Sequence, residues 1–259
     1  MEQIMKSRLA GVALASVVLA GCATGSSRQD TQGRSDPLEG FNRAMFNVNY
    51  DYLDPYLVRP VAVVWRDYVP SPARNGLMNF FVNLAEPASM VNCFAEGRIY
   101  DGFRHLNRFF LNTTLGIGGL IDVAAMANPD KLSKQDPQRF GSTLGYYHIP
   151  YGPYLVLPGY GSFTLRQEGG NSVDYLYPPL GWLTFWMSAG KWALEGIETR
   201  AQLLDSDGLL RNSPDPYITV REAYFQYNDF LVNGGQVQPE ANPNAQAIQD
   251  DLKDIDSAN

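Results

Sequence analysis

An acid or a serine precedes proline at several points of this chain, and four of these steps read as helix starts: Asp36-Pro37, Asp54-Pro55, Ser71-Pro72 and Asp215-Pro216. Each puts a side chain suited to capping before a proline whose missing N–H is harmless at the first position of a helix. Between them apolar residues recur at helical spacing. Behind Asp36, where Glu39 completes a capping-box pattern, Leu38, Phe41, Met45, Val48 and Tyr52 share one face, while Arg43, Asn47 and Asn49 face away. A second helix runs through Leu57, Val61, Val64 and Tyr68 with a kink at Pro60, and a third through Leu77, Phe80, Phe81 and Leu84. Val91 and Phe94 mark a short fourth, closed by Gly97. Ile99, Phe103, Leu106 and Phe110 stripe the next, with Arg104, His105 and Arg108 on its other side. The last opens at Asp215-Pro216, carries Val220, Tyr224, Tyr227 and Leu231 on one face and ends at Gly234-Gly235. No alternating run is long enough for a sheet, so the expected fold is all-α.

Three stretches fit a soluble helical bundle poorly. Leu115 to Met126 is apolar with Asp122 its one charge, but Gly116, Gly118 and Gly119 interrupt it, which predicts a hairpin or broken helix. From Arg139 to Arg166, Gly, Pro and Tyr break up short apolar pieces so that no helix runs far. Tyr175 to Leu194 holds Trp182, Trp186 and Trp192, with Lys191 its only charge, and Pro178-Pro179 breaks it. The remaining Leu180 to Leu194 covers about 22 Å as a helix, short of the ~30 Å hydrocarbon core. Tryptophan and tyrosine favour the headgroup level, so this segment is expected in the membrane interface or beside a partner; the alternative is a buried core helix. Asp205 to Gly208 reads as a turn.

The amino-terminal segment supplies a reason for membrane contact. Lys6 and Arg8 precede an uncharged stretch, Leu9 to Leu19, that ends in Leu19-Ala20-Gly21-Cys22. This suits a signal peptide, residues 1–21, and resembles a bacterial lipobox, with Cys22 as the lipidated first residue of the mature chain. Several acyl chains on one residue meet the requirement for stable anchoring. Ala23 is not the aspartate that commonly retains lipoproteins in the inner membrane, so the outer membrane is expected. Residues 22–35 form a polar tether reaching only about 20 Å, so the body, 36–235, must sit against the membrane. Residues 236–259 read as a mobile acidic tail. The net charge of −7 excludes nucleic acid and attachment to anionic lipid by charge alone.

Chemistry-bearing motifs are scarce. With Cys22 lipidated, Cys93 has no disulfide partner and reads as a small core residue; His105 and His148 are the only histidines, too few for a zinc site. The Gly116 to Gly119 run lacks the glycine pattern and preceding strand of a dinucleotide loop, and Ser162 stands one place late for a nucleophile elbow. Asn112-Thr113-Thr114 matches a glycosylation sequon that means little in a bacterial lipoprotein. Glu195 and Glu198, one turn apart with Arg200 nearby, read as a solvated face. No cofactor and no enzyme activity are expected.

The series DPLEGFNRAMF (36–46), YLVRPVAVVWRDYVPSPARNGLMNFFVNLAEP (56–87), RFFLNTTLGIGGLIDVA (108–124), RFGSTLG and YGPYLVLPGYG (139–161) and GIETRAQLLDSDGLL (196–210) resembles the MlaA, or VacJ, family. The likeness covers nearly all of the mature chain. It implies a ring of amphipathic and kinked helices lying in the inner leaflet of the outer membrane around an amphipathic channel, associated with trimeric porins. It further implies removal of phospholipids mislocalised in the outer leaflet and their delivery to a periplasmic carrier, MlaC. One departure stands out: where the family pattern follows the aromatic pair at Tyr146-Tyr147 with glycine, this chain has His148.

A headgroup crossing between leaflets needs a polar route, because exposing charge to hydrocarbon costs several kcal/mol or more. Polar helix faces carrying Asn47, Asn49, Asn83, Arg104 or Arg108 are the candidate channel lining, and the Leu115 to Met126 hairpin with Gly116, Gly118 and Gly119 the candidate gate. The competing expectation is a structural outer-membrane lipoprotein, a scaffold beside porins whose Trp182, Trp186 and Trp192 pack in a dry core. A lipid-cleaving enzyme would need a nucleophile with a base, and none is evident.

Overall fold

Helices dominate residues 34–235, the part that the computed structural model describes; the expected signal peptide, the expected lipidation site Cys22, the expected tether up to Gly33 and the expected tail from Gln236 lie outside the described residues. Of the four proline steps only the one at Asp215 supplies a cap; Ser71 is itself the first residue of its helix, behind Pro70, and makes no capping hydrogen bond. Helix α1 (Glu39–Asn47), a π-helix (Val48–Val58) and α2 (Arg59–Tyr68) follow one another without a break. Pro55 therefore starts nothing: it sits inside the π-helix, and Asp54 accepts hydrogen bonds from Arg200 at 2.6 and 2.9 Å instead of capping. Pro60 marks the return to α spacing. Asp36 does not cap either. Leu38 holds that position, while the Asp36 carboxylate accepts from Asn42 Nδ2 at 2.7 Å, from Arg221 at 3.3 Å and from the Tyr217 hydroxyl, joining the first helix to the last.

Helix α3 (Ser71–Ala95) merges the expected third and fourth helices, running through Pro87 and stopping at Gly97, whose φ is +75°. Helix α4 (Ile99–Thr114) turns back and packs along it. After the glycine-rich turn come three short helices, α5 (Val123–Ala127), α6 (Pro129–Leu132) and α7 (Phe140–Tyr146).

The all-α expectation needs one amendment, a single hairpin. Strands β1 (Tyr154–Leu157) and β2 (Gly161–Thr164) pair antiparallel, with Tyr154 opposite Thr164 and Leu157 opposite Gly161. Four-residue strands are too short to show a clear alternation, and here side chains of the first helical run supply the missing edge. Asn42 donates to the Tyr154 carbonyl at 2.9 Å and accepts from Val156 N at 2.9 Å. Asn49, two turns on, donates to the Leu157 carbonyl at 2.9 Å and accepts from Gly159 N at 2.7 Å. A side-chain amide thus imitates a strand's backbone.

A π turn (Leu165–Gly169) and two short 3-10 helices (Ser172–Leu176 and Leu180–Trp182) lead to α8 (Phe185–Gln202), which packs on α2. The break at Pro178-Pro179 is present, with a cis bond between the prolines, and a second break follows at Leu183-Thr184, where Thr184 accepts from Met187 N at 3.4 Å. The expected turn at Asp205 to Gly208 is helical: a 3-10 piece runs into α9 (Asp207–Arg211). Helix α10 (Pro216–Val232) begins as its sequence predicts, Asp215 accepting from Ile218 N at 3.2 Å, and ends at Gly234 and Gly235. Its buried side carries Tyr217, Phe225, Asn228 and Leu231; Tyr227 is exposed. No helix among the described residues is long and apolar enough to cross a membrane.

The core is small and aromatic. Phe46, Tyr151, Tyr154, Val156, Tyr217 and Phe225 cluster between α1, the hairpin and α10, with edge-on rings such as Tyr151 and Phe225, 4.9 Å between centroids.

His148 ends α7 in the left-handed conformation, φ +61°, completing a Schellman arrangement: His148 N donates to the Gly145 carbonyl at 2.8 Å and Ile149 N to the Leu144 carbonyl at 3.0 Å. A Cβ in this conformation is strained where glycine would not be. His148→Gly is expected to stabilise the fold by roughly 0.5–1 kcal/mol, the relief of left-handed strain less the added freedom of the unfolded chain. Unfolding midpoints of the two forms measure it, and a lower midpoint for the glycine form refutes it.

Candidate functional site

Helix α4 is turned inside out. Its apolar stripe, Ile99, Phe103 and Phe110, is exposed, while Gly102, His105, Arg108 and Asn112 are buried. A soluble helix would do the reverse. The spacing of His105, Arg108 and Asn112 at i, i+3 and i+7 puts all three on one face, which meets Glu86 of α3 and Asp122 after the glycine-rich turn. Arg108, its side chain 2% exposed, donates to Glu86 Oε1 at 2.7 Å, to Asp122 Oδ2 at 3.1 Å and to the Leu132 carbonyl at 2.6 Å. His105 Nδ1 lies 2.5 Å from the other Glu86 oxygen. Asn112 donates to Asp122 Oδ1 at 3.0 Å and accepts from Ala124 N at 2.9 Å. Burial works against the Asp122 carboxylate, yet hydrogen bonds from Arg108, Ala125 N and Asn112 hold it below its ordinary range.

The same inversion recurs elsewhere. Glu198 is buried, contrary to the solvated face expected of it, and accepts from Trp65 Nε1 at 2.6 Å and Arg74 Nη1 at 3.1 Å. Glu195 takes the buried Lys191 at 2.7 Å. Cys93 is fully buried as a core residue, its thiol pushed up to about 12 by desolvation. Large apolar side chains meanwhile point outward, among them Tyr56, Phe110, Leu176 and Phe185. Trp182 and Trp186 are exposed, at 75% and 80%, and Trp192 is half exposed, stacked on Tyr160 at 5.7 Å with planes 8° apart.

The glycine-rich segment forms a turn followed by α5, as a broken helix should. Three consecutive residues are left-handed: Ile117 at φ +53°, Gly118 at +69° and Gly119 at +103°. A β-branched residue in that region is strained by about 1–3 kcal/mol. A Cβ on Gly116 would lie 2.2 Å from the Ile121 carbonyl oxygen, so the turn closes only around glycine. Asn83 of α3 staples it, donating to Thr113 Oγ1 at 2.9 Å and the Gly118 carbonyl at 3.3 Å, while its own oxygen is buried without a partner among the described residues. At the base, Asp122 caps α5 through Ala125 N at 3.2 Å and takes Arg108.

Of the residues expected to line a channel, Asn83 and Arg108 thus meet at this turn. Arg104 lies on the same helix but donates to Ser133 Oγ at 2.7 Å. Asn47 is exposed on α1, and Asn49 holds the hairpin. Glu86, His105, Asn112 and Asp122 were not among the expected lining residues, although the polar stripe at 105, 108 and 112 marks their face.

Sequence also gave no sign of a cavity of about 660 Å³. The π-helix, the start of β2 and the region from Arg200 to Val220 enclose it. Phe46, Tyr50, Pro55, Leu203, Leu210 and Val220 make its walls apolar, and Asp51, Asp54, Arg200, Asp207 and Arg211 give it charge. An extended π-helix is rare, and such distortions gather at functional sites.

Comparison with known proteins agrees with this architecture. The family model described as MlaA lipoprotein matches residues 34–231. The "Intermembrane phospholipid transport system lipoprotein MlaA" of Shigella flexneri is 69% identical over 98% of this chain and 100% of its own length; that of Escherichia coli K12 is 68% identical over the same shares. The Haemophilus influenzae protein of that name is 40% identical, covering 94% of this chain and 96% of itself. A solved structure, from work on the "structural basis for maintenance of bacterial outer membrane lipid asymmetry", superposes with a TM-score of 0.75 at 73% identity, over 77% of this chain and all of the other. By the length of the family match and the identity of these relatives, the chain belongs to the MlaA lipoprotein family.

Proposed function

We propose that this lipoprotein maintains outer-membrane lipid asymmetry, taking phospholipids mislocalised in the outer leaflet and passing them to a soluble periplasmic carrier. Its role is transport, not catalysis. The observation that carries the reading is the inversion of α4, apolar side chains out and charged ones in, which suits a body whose surroundings are hydrocarbon and whose interior must accept a headgroup. Names of the relatives support it. On this reading Cys22 carries the anchor, the exposed aromatic residues lie at the inner leaflet, and a trimeric porin is the neighbour in the membrane. Asn83 and Arg108 stand beside the gate, with Gly116, Gly118 and Gly119 as its turn; Asn47, Asn49 and Arg104 are the further lining candidates. The 660 Å³ cavity is the compartment with room and apolar wall for lipid chains.

Exposure of Trp182 and Trp186 favours membrane residence over the scaffold reading, which needs them in a dry core. Reconstituted into bilayers with brominated acyl chains, the protein is expected to lose most of the emission of these tryptophans, because quenching requires the indole to reach the lipid. Emission unchanged by bromine would favour the scaffold.

A further inference from the structure

The charges in the 660 Å³ cavity do not all remain available. Asp54 takes Arg200 at 2.6 and 2.9 Å, and Asp207 takes it at 2.8 Å and Arg59 at 3.1 Å, so these four groups satisfy one another. Burial works against the Asp207 carboxylate, but hydrogen bonds from Arg200 and Arg59 hold it below the ordinary range. That leaves one lining group of each sign, Asp51 on the π-helix and Arg211 at the end of α9. Among the described residues neither has a hydrogen bond or ion pair, though carboxylates with partners lie close by in sequence, and both side chains are exposed. The rest of the lining is mostly aromatic, aliphatic or proline.

An apolar chamber with one unpaired anion and one unpaired cation complements an amphiphile that carries both charges. We propose that this cavity is a headgroup-selective subsite for zwitterionic aminophospholipids, Arg211 receiving the phosphate and Asp51 the ammonium, with acyl chains against Phe46, Tyr50 and Leu210. The proposal rests on the transport reading above and adds a choice among lipids to it. A planar guanidinium matches two phosphate oxygens, and a carboxylate matches an ammonium's donors. An anionic phospholipid without an amine would satisfy Arg211 and leave Asp51 without a counter-charge, facing a neutral headgroup. Selection therefore lies with Asp51, and general phospholipid affinity with Arg211.

The test uses the full lipidated chain purified in detergent, offered mixed micelles of phosphatidylethanolamine and phosphatidylglycerol in equal amounts, with bound lipid counted by native mass spectrometry. Wild type is expected to retain phosphatidylethanolamine over phosphatidylglycerol by about tenfold, the ratio one charge-assisted hydrogen bond supports. Asp51→Asn should bring the ratio near one and Asp51→Lys should reverse it. Arg211→Gln should lower retention of both lipids together by a similar factor. Both positions are exposed, so the variants keep their fold, which far-ultraviolet circular dichroism verifies. Soluble glycerophosphoethanolamine, which carries the same charges without chains, is expected not to compete at equal concentration; full competition would overturn the role of the apolar wall. An unchanged ratio in Asp51→Lys overturns the selectivity proposal and leaves transport standing. A wild type that retains neither lipid overturns both.

Discussion

Arg108→Met is expected to lower the free energy of unfolding by about 3–5 kcal/mol, the usual consequence of removing one partner from a buried ion pair. Methionine preserves the aliphatic stem, so little packing is lost, and what changes is electrostatic. Glu86 and Asp122 would be left without a cation between them in a site where only 2% of the Arg108 side chain reaches solvent, with His105, Asn112 and Ala125 N as their remaining partners. Denaturant unfolding in detergent measures the loss. Adding Glu86→Gln and Asp122→Asn should restore part of it, because neutral amides need no counter-charge, and that recovery separates the electrostatic account from a packing defect. A loss below about 1 kcal/mol for the single change would mean that the network is solvated and that a surface ion pair is the better comparison. The pH response has a defined sign. Asp122 is held below its unfolded value, so its contribution is present above that value and disappears as pH falls through the lowered one.

Locking the glycine-rich turn is the change with the largest expected effect on activity. Leu120 reaches α3 through its carbonyl, 3.5 Å from Asn79 Nδ2. Cysteines substituted at Asn79 and Leu120 would join turn and helix when oxidised, while Cys93, buried with its thiol pushed up to about 12, stays out of the exchange. Lipid transfer from donor bilayers to the periplasmic carrier is expected to stop in the oxidised protein and return on reduction, with membrane insertion unaltered. Ile117 gives the physical reason for motion here: a strained left-handed isoleucine between glycine neighbours stores energy that a second arrangement of the turn would release. Its base, clamped by Arg108 and Asn112 on Asp122, stays fixed, so movement belongs to residues 116–121. Full transfer by the oxidised protein would remove the gate from the mechanism.

How much was legible in sequence depends on the range of the interaction. Helix α10 could be read closely because its start and stop are local: Asp215 caps it, and two glycines end it. Asp36 and Asp54 look identical to Asp215 in sequence, but long-range partners, Tyr217 with Arg221 and Arg200, claim their carboxylates. A long-range partner does not by itself prevent capping, since Asp215 takes Arg43 at 2.8 and 3.1 Å and still caps α10; Asp36 stands three residues ahead of the first helical residue and Asp54 lies inside the π-helix, where neither can cap. The hairpin was invisible because the amides of Asn42 and Asn49 complete it from more than a hundred residues away. On α4 the polar stripe was evident and only its direction was open. Periodicity identifies a face without saying whether water, lipid or protein lies against it. The cavity draws its two unpaired charges from Asp51 and Arg211, which only the fold brings to one chamber.

The outward aromatic and aliphatic side chains also bear on how the polypeptide reaches its membrane. In water, Tyr56, Trp182, Trp186 and Leu209, each at least 75% exposed, would drive copies of the body to stick to one another. The folded body is thus as unsuited to an aqueous journey as the acyl chains proposed for Cys22. On the proposed anchoring, an escort across the periplasm would have to shield this surface together with the lipid, and a handover that released the lipid alone would leave the greasy flank free to aggregate before it met a bilayer.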